Sequence, residues 1–333
     1  MRNDKISLGH GSGGLLTSLL IKKVILKYFN NPVIKRLEDS AALNVKKQQI
    51  AFTTDSYVIN PIFFPGGDIG KLAICGTVND LAMKGAVPRF ISFSLIIEEG
   101  LLFSDLEKIL KSASRAAKKA GVQVVCGDTK VVERGKADKI FITTSGVGHI
   151  IMNLGKEKVM MGDKVVMSGT IGDHGVAVMN ERLHLGLQSP IKSDVAPLNL
   201  MTNKLFHNTR AIHFMRDPTR GGVVSVLNEM LTDTKWGIMI DEHTLPIKKE
   251  VRGACEILGL DPLYVANEGK FVAFVDSQNT KKVLKIITSH PLGKNATIIG
   301  EVVKEPRGVW LKTKIGGVHP LLQLEAEGLP RIC

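Results

Sequence analysis

SDLEKILKSASRAAKKAGVQVVCGDTK, residues 104–130, is the stretch from which the fold can be read. Ser104 followed by Glu107 has the form of a capping box, and Leu106, Ile109, Leu110, Ala113, Ala117 and Ala120 share one stripe at helical spacing. Gly121 supplies a C-terminal stop. The spacing predicts a helix over 104–120, followed at once by a strand, VQVVC, whose apolar β-branched run ends at Gly127, Asp128, Thr129 and Lys130. A carboxylate just past a strand end is where folds that mix strands and helices commonly place functional groups.

Outward from this stretch, apolar runs predict strands at 49–54, 89–97, 139–149, 164–168, 271–276 and 297–303. Helical periodicity falls at 13–29, 69–84, 174–184, 198–215, 221–231, 247–258 and 279–289. Strands flank helices irregularly, so the fold class expected is α+β (mixed α/β). A chain of 333 residues exceeds one ordinary core, and two domains are expected. The turn-rich NLGKEKVMMGD segment puts the boundary near 155, giving domains at 1–155 and 156–315. Residues 316–333 are expected to form a flexible tail, long enough to reach about 50 Å if extended.

Hydrophobic residues make up 44% and charged residues 23%, which is ordinary for a globular chain. No run of 18 apolar residues occurs, and MRNDKISLGH lacks a signal-peptide core, so a soluble cytoplasmic protein with no membrane partner is expected. Forty-four basic against 32 acidic residues give +12. Lysine pairs are scattered and aromatics are only 5%, which argues against a nucleic-acid partner. Four cysteines without a C-x-x-C pair exclude a zinc or disulfide framework. Cys75, Cys126 and Cys255 read as small buried or half-buried hydrophobes. Cys333 is different: as the last residue it reads as an accessible nucleophile.

On the predicted helix 69–84, the inward stripe of Ile69, Leu72, Ala73 and Gly76 is continued by Asn79 and Asp80. A carboxylate on an apolar face needs a partner, either backbone amides, a lysine or a ligand. Asp39, Asp55, Asp80 and Asp128 all stand at junctions of apolar segments, a set that suits magnesium carried with nucleotide phosphates. GHGSGG, 9–14, lacks the rest of a dinucleotide-binding unit but could close a flap of Gly11, Gly13 and Gly14 over phosphates. GGDIGK, 66–71, is one residue short of a P-loop. RDPTRGG, 216–222, sets Asp217 and Arg220 before a helix, as either an anion contact or an ordinary turn.

HGSGG, TTDSYVINPIFFPGGDIGKLAICGTVNDLAMKGAVP, CGDTKVVERG, DPTRGG, NEGK and the terminal PRIC together resemble the HypE family of hydrogenase maturation factors, across nearly the whole chain. The resemblance implies a two-domain aminoimidazole ribonucleotide synthetase-like fold, a homodimer joined through the N-terminal halves, and ATP with Mg2+. It implies that HypF loads a carbamoyl group onto Cys333, that ATP-dependent dehydration yields a thiocyanate, and that cyanide passes to iron on a HypC–HypD complex. Glu268 and Lys130 would then lie near the thiol, as base and as orienting or proton-relay group, with the proton acceptor between them left open. ATP contacts are implied for Gly11, Gly13, Gly14, Asp55, Asn79, Asp80, Asp128, Thr129 and Asp217, and magnesium ligands for Asp39, Asp55, Asp80 and Asp128. Arg331 is expected to favour the Cys333 thiolate. A synthetase of the same superfamily acting on a free small molecule, or a basic scaffold or nucleic-acid-binding protein, would leave Cys333 idle.

Overall fold

The computed structural model describes residues 5–7, 20–31, 49–184, 186, 191–232, 234–323, 329 and 331–333. In the N-terminal half the strands are β1 (Ile50–Tyr57), β2 (Ala86–Ser92), β3 (Ser94–Glu98), β4 (Gln123–Cys126), β5 (Thr129–Val132) and β6 (Ile140–Ile150). The long β6 carries β1 antiparallel along one edge, from Ile50 opposite His149 to Tyr57 opposite Ile142. Its other edge takes β2 and then β3, which pair in parallel with β4 and β5 respectively. The single residue between β2 and β3, Phe93, turns into the core at 5% exposure.

Two helices cover this sheet. In α1 (Ile69–Met83) the Asp68 side chain accepts from the backbone N–H groups of Gly70 and Lys71, capping the start. Of its 15 residues only Lys71 and Asp80 escape full burial, because sheet and helices enclose it on all sides. The second helix, α2 (Phe103–Ala120), buries the expected stripe and stops at Gly121 with φ 71°. The expected capping box does not form. The helix starts one residue early, so Ser104 lies inside the first turn and Glu107 instead meets Lys27 at 3.2 Å.

The C-terminal half is built from β7 (Lys164–Met167), α3 (Asp173–Leu183), α4 (Asn199–Asn208), β8 (Ile212–Arg216), α5 (Gly222–Leu231), β9 (Gly237–Asp241), α6 (Lys249–Leu258), β10 (Val272–Val275), α7 (Thr280–Thr288), β11 (Thr297–Val303), β12 (Gly308–Lys312) and β13 (Val318–Pro320). Its seven strands run in the order β8-β10-β7-β11-β9-β12-β13, with only β9 and β12 parallel. Apolar clusters lie on both faces, and one of them takes in Ala82, Met83, Met152 and Leu154 from the first half. The cluster under α1 likewise receives Val178, Val195, Ala266 and Ile332. The halves therefore share apolar surface, which fixes the cleft between them.

Two expectations are corrected here. The helix expected over 198–215 ends at Asn208, because Thr209 is extended (φ −152°, ψ 156°), and the chain re-enters as β8 opposite β10. Residues 316–333 are not wholly a flexible tail: Val318–Pro320 add a strand to β12, and Leu321 donates to Val309 O at 2.8 Å while buried at 3% exposure.

Candidate functional site

Four carboxylates converge where the halves meet. Asp55 comes from β1, Asp80 from the last turns of α1, Asp217 from the residue after β8, and Glu268 from the turn before β10. Asp80 and Asp217 line a cleft of about 650 Å3 together with Phe52, Lys84, Phe214 and Arg216. Thr53 Oγ1 donates to Asp80 Oδ2 at 2.9 Å. Burial, then the charge of Asp55, raises the Asp80 carboxyl to about 6, although the Thr53 hydroxyl and Arg216 act the other way. Burial, then Asp80, raises Asp217 to about 7. Glu268, 2% exposed, is pushed well above the usual range by burial and then by Asp217, Asp194, Asp55 and Asp80. Its Oε1 has no hydrogen-bond partner.

Glu268 is fixed through its backbone. Its N–H donates to Asp194 Oδ1 at 3.1 Å, and its carbonyl accepts from Asn79 Nδ2 at 3.2 Å. Gly269 is required next to it, since a Cβ there would lie 1.9 Å from Asp194 O. Asp194 in turn holds Lys270 Nζ at 3.1 Å, both side chains at or below 9% exposure. Burial alone would raise the Asp194 carboxyl, but Lys270, His174 and the Glu268 N–H outweigh it and hold it below the ordinary range.

The chain end enters the same region. Arg331 adopts φ 56°, a left-handed turn held by Asn60 N–H and Arg182 Nη2 on its carbonyl (3.3 and 2.6 Å). Ile332 is 2% exposed, with its carbonyl 2.8 Å from His174 Nε2. Val58 N–H donates to Cys333 O at 3.3 Å, and Cys333 packs half-buried against the core. The expectation of a solvated terminal thiol is thus corrected: the last three residues are docked between the halves. The Arg331 guanidinium is engaged by Asp138 at 2.7 Å and by Val58 O at 3.0 Å. Burial pushes the Cys75 thiol up to about 12 and Cys255 up to about 11, which leaves both unsuited to nucleophilic chemistry.

Asp55, Asp80, Asp217 and Glu268 lie near enough to influence one another's carboxyls, a grouping that differs from the expected set of Asp39, Asp55, Asp80 and Asp128, and Thr129 is buried at the start of β5. Asn79 is a correction. Its Nδ2 donates to Ala196 O and Glu268 O and its Oδ1 accepts from Leu198 N–H, so both donor hydrogens are committed to the interdomain backbone and none is left for a nucleotide. Asp128 and Lys130 pair with each other at 3.2 Å with side chains 61% and 63% exposed, so the structure brings Lys130 to Asp128 and not to Glu268. Asp39, Gly11, Gly13 and Gly14 lie outside the described residues. Among the described residues no three acidic, histidine or cysteine side chains converge closely enough to hold a metal alone, so Asp55, Asp80 and Asp128 make no metal site without the phosphate oxygens expected to share it. Asp194, His174 and Ser193 are additions that sequence reasoning missed. For Ser193 and Asp194 the one signal is a short polar run, Lys192 to Asp194, between Pro190 and Pro197; His174 has none of this kind.

The raised acids make stability depend on pH. A carboxyl whose folded pKa exceeds its unfolded value binds its proton more tightly when folded, so its contribution is present below about 4 and is lost as pH rises through 6 to 7. Denaturant unfolding of the ligand-free protein is expected to give lower stability at pH 8 than at pH 5.5, on the order of a few kcal/mol. Asp217→Asn should flatten that slope. An unchanged slope in the variant would refute the assignment.

A two-domain protein with an acid-lined cleft between mixed sheets, and without a P-loop, is of the AIR-synthase-related class. Residues 37–150 match the AIR synthase related protein, N-terminal domain, and residues 161–311 match the corresponding C-terminal domain. The carbamoyl dehydratase HypE of Bradyrhizobium diazoefficiens is 47% identical over 337 residues, covering 100% of this chain and 97% of the relative. A crystal structure of HypE in complex with ATP superposes with TM-score 0.95 at 41% identity, covering 98% of this chain and 99% of that one. A chain of a HypE–HypF complex gives TM-score 0.81 at 49% identity, covering 92% and 99%. The chain belongs to the HypE family. No helix among the described residues is long and apolar enough to cross a membrane.

Proposed function

We propose that this chain is an ATP-dependent carbamoyl dehydratase that works on a carbamoyl group carried by its own Cys333, and that the product thiocyanate supplies cyanide for hydrogenase maturation. Membership of the HypE family and likeness to a HypE–ATP structure support the dehydratase reading. The observation that carries the intramolecular reading is the docked chain end: His174 of α3 bonds the Ile332 carbonyl and, through its other ring nitrogen, Ser193, the neighbour of the Asp194 that holds the Glu268 N–H.

The chemistry balances without an oxidant. The carbamoyl oxygen attacks the γ-phosphorus of ATP, forming an O–P bond as the bond to ADP breaks. Two N–H protons leave, the C–O bond breaks with phosphate as leaving group, and C≡N remains on sulfur. Glu268 is the base: its buried carboxyl has an unpartnered oxygen, as does that of Asp173, but Asp173 is paired with Lys248 whereas Glu268 stands among the cleft acids Asp217, Asp55 and Asp80. Asp80 and Asp217 face the cleft that would hold the nucleotide, with Asp55 beside them and Lys84 and Arg216 on its walls. Asp128 with Lys130 would contact the nucleotide or the loaded tail only after their surface pair opens.

Magnesium fits this acid set on charge, since mutual repulsion adds to burial in raising these carboxyls. Phosphate oxygens would complete its coordination, and it would supply charge neutralisation on the phosphates. The proposed partners are a HypF-type carbamoyl donor, a HypC–HypD acceptor and a second copy of this chain, in the cytoplasm.

Intact-mass analysis of carbamoylated protein given Mg-ATP tests the proposal. The expected result is loss of one water, mapped by fragmentation to Cys333. Persistence of the full carbamoyl mass, or loss mapped to another residue, overturns it.

A further inference from the structure

We infer that His174 is a positioning residue that sets the terminal thiol in register with Glu268, acting through the Ile332 carbonyl. The inference rests on the proposed intramolecular dehydration. His174 is wholly buried in the first turn of α3, 2.8 Å by Nε2 from Ile332 O. A carbonyl can only accept, so Nε2 carries the hydrogen. Nδ1 lies 2.8 Å from Ser193 Oγ, and that oxygen already accepts from Val195 N–H at 3.1 Å. In a neutral ring with its hydrogen on Nε2, Nδ1 is the acceptor and the Ser193 hydroxyl donates to it. Phe64 meets the ring edge-on at 5.4 Å and 89°, which limits its tilt. Burial pushes His174 below its usual range, against the opposing effects of Asp194 and the Ile332 carbonyl, consistent with a neutral ring.

Two consecutive residues thus serve two ends of the reaction. Ser193 orients the histidine that fastens the tail, and Asp194 accepts the Glu268 N–H and pairs with Lys270. Of the other bonds to the carbonyls of the last residues, those from Val58 and Asn60 N–H are longer at 3.3 Å and that from Arg182 to the Arg331 carbonyl is shorter at 2.6 Å, while the Arg331 side chain meets Asp138 at 2.7 Å and Val58 O at 3.0 Å. Without His174 the buried Ile332 carbonyl would lose its donor, and the thiol its fixed distance from the base.

The test uses the full chain and two readouts. In unloaded protein without ATP, amide hydrogen exchange at Val58 and Asn60, which donate to the tail, should rise in His174→Ala by about tenfold. In carbamoylated protein the first-order dehydration rate should fall by about tenfold or more while the KM for ATP stays within about twofold, because only the intramolecular alignment is lost. His174→Gln retains a donor and should recover most of the rate. Ser193→Ala, which leaves the imidazole in place, should give a smaller loss of the same pattern. It serves as the deciding variant if His174→Ala does not fold. Wild-type exchange and rate in both His174→Ala and Ser193→Ala, or a raised KM with unchanged rate, overturn the inference. Because exchange is read without turnover, a wild-type protein that fails to dehydrate would count against the proposed function alone.

Discussion

Glu268→Gln is expected to load normally at Cys333 and then to dehydrate about 10²- to 10⁴-fold more slowly, the range that a positioned general base contributes. The variant should be no less stable than the parent. Its side chain occupies the same volume, and it removes a carboxyl held in a buried site among four other acids with one oxygen unpartnered. The pH dependence separates base loss from misfolding. With its pKa raised well above the usual carboxyl range, Glu268 is protonated in the ligand-free protein at pH values where an ordinary glutamate is ionised. It becomes a base once the negative potential of Asp217, Asp194, Asp55 and Asp80 is offset. The single-turnover rate of the parent should therefore climb with pH through a region where an unperturbed glutamate would give a plateau. The variant's residual rate should lose that slope. A variant with the parent's rate and slope would remove Glu268 from the mechanism and turn attention to Lys130.

The contrast between what the sequence discloses and what only the fold discloses follows the range of each interaction. α2 is legible because its stripe repeats within one helix, and α1 because a carboxylate interrupts an apolar face. β8 is misread because IHFMR follows α4 after three residues and has no alternation of its own to announce a strand. β9 and β12 were missed because each is only five residues long and turn-flanked. At the site, Asp55 and Asp80 announce themselves by polarity at apolar junctions, Asp217 by its place before a helix, Cys333 by its terminal position, and Glu268 by resemblance. His174 and Asp194 could not. Their partners lie 158 and 74 residues away in sequence, and no local pattern encodes a contact at that range. Asn79 was assigned to the nucleotide for the converse reason: its polarity was visible, but the Ala196, Leu198 and Glu268 backbone groups that satisfy it were not.

Lys270→Met should be among the most destabilising single substitutions in the C-terminal half, because it strands the Asp194 carboxylate. Both members of that pair are nearly excluded from water, at 9% and 3% side-chain exposure, and removing one partner of such a pair typically costs about 3–5 kcal/mol. His174, buried and held below its usual range, is a poor substitute for the lost cation, which leaves chiefly the Glu268 N–H and the charge of Lys71 to face the carboxylate. The pH signature has the opposite sign to that of Asp80 and Asp217. The folded Asp194 carboxyl is held below its usual value, so the stability it provides is present above about 4 and is lost as pH falls through the lower folded value. In Lys270→Met that acid-side loss should shrink or reverse, which denaturant titrations across pH 3 to 6 would resolve. Adding Asp194→Asn separates charge from geometry. The amide oxygen still accepts from Glu268 N–H, so the double variant should recover most of the lost stability, and with it the position of the base. A double variant no more stable than Lys270→Met would mean that the ion pair itself, and not relief of a stranded carboxylate, holds the turn that carries Glu268.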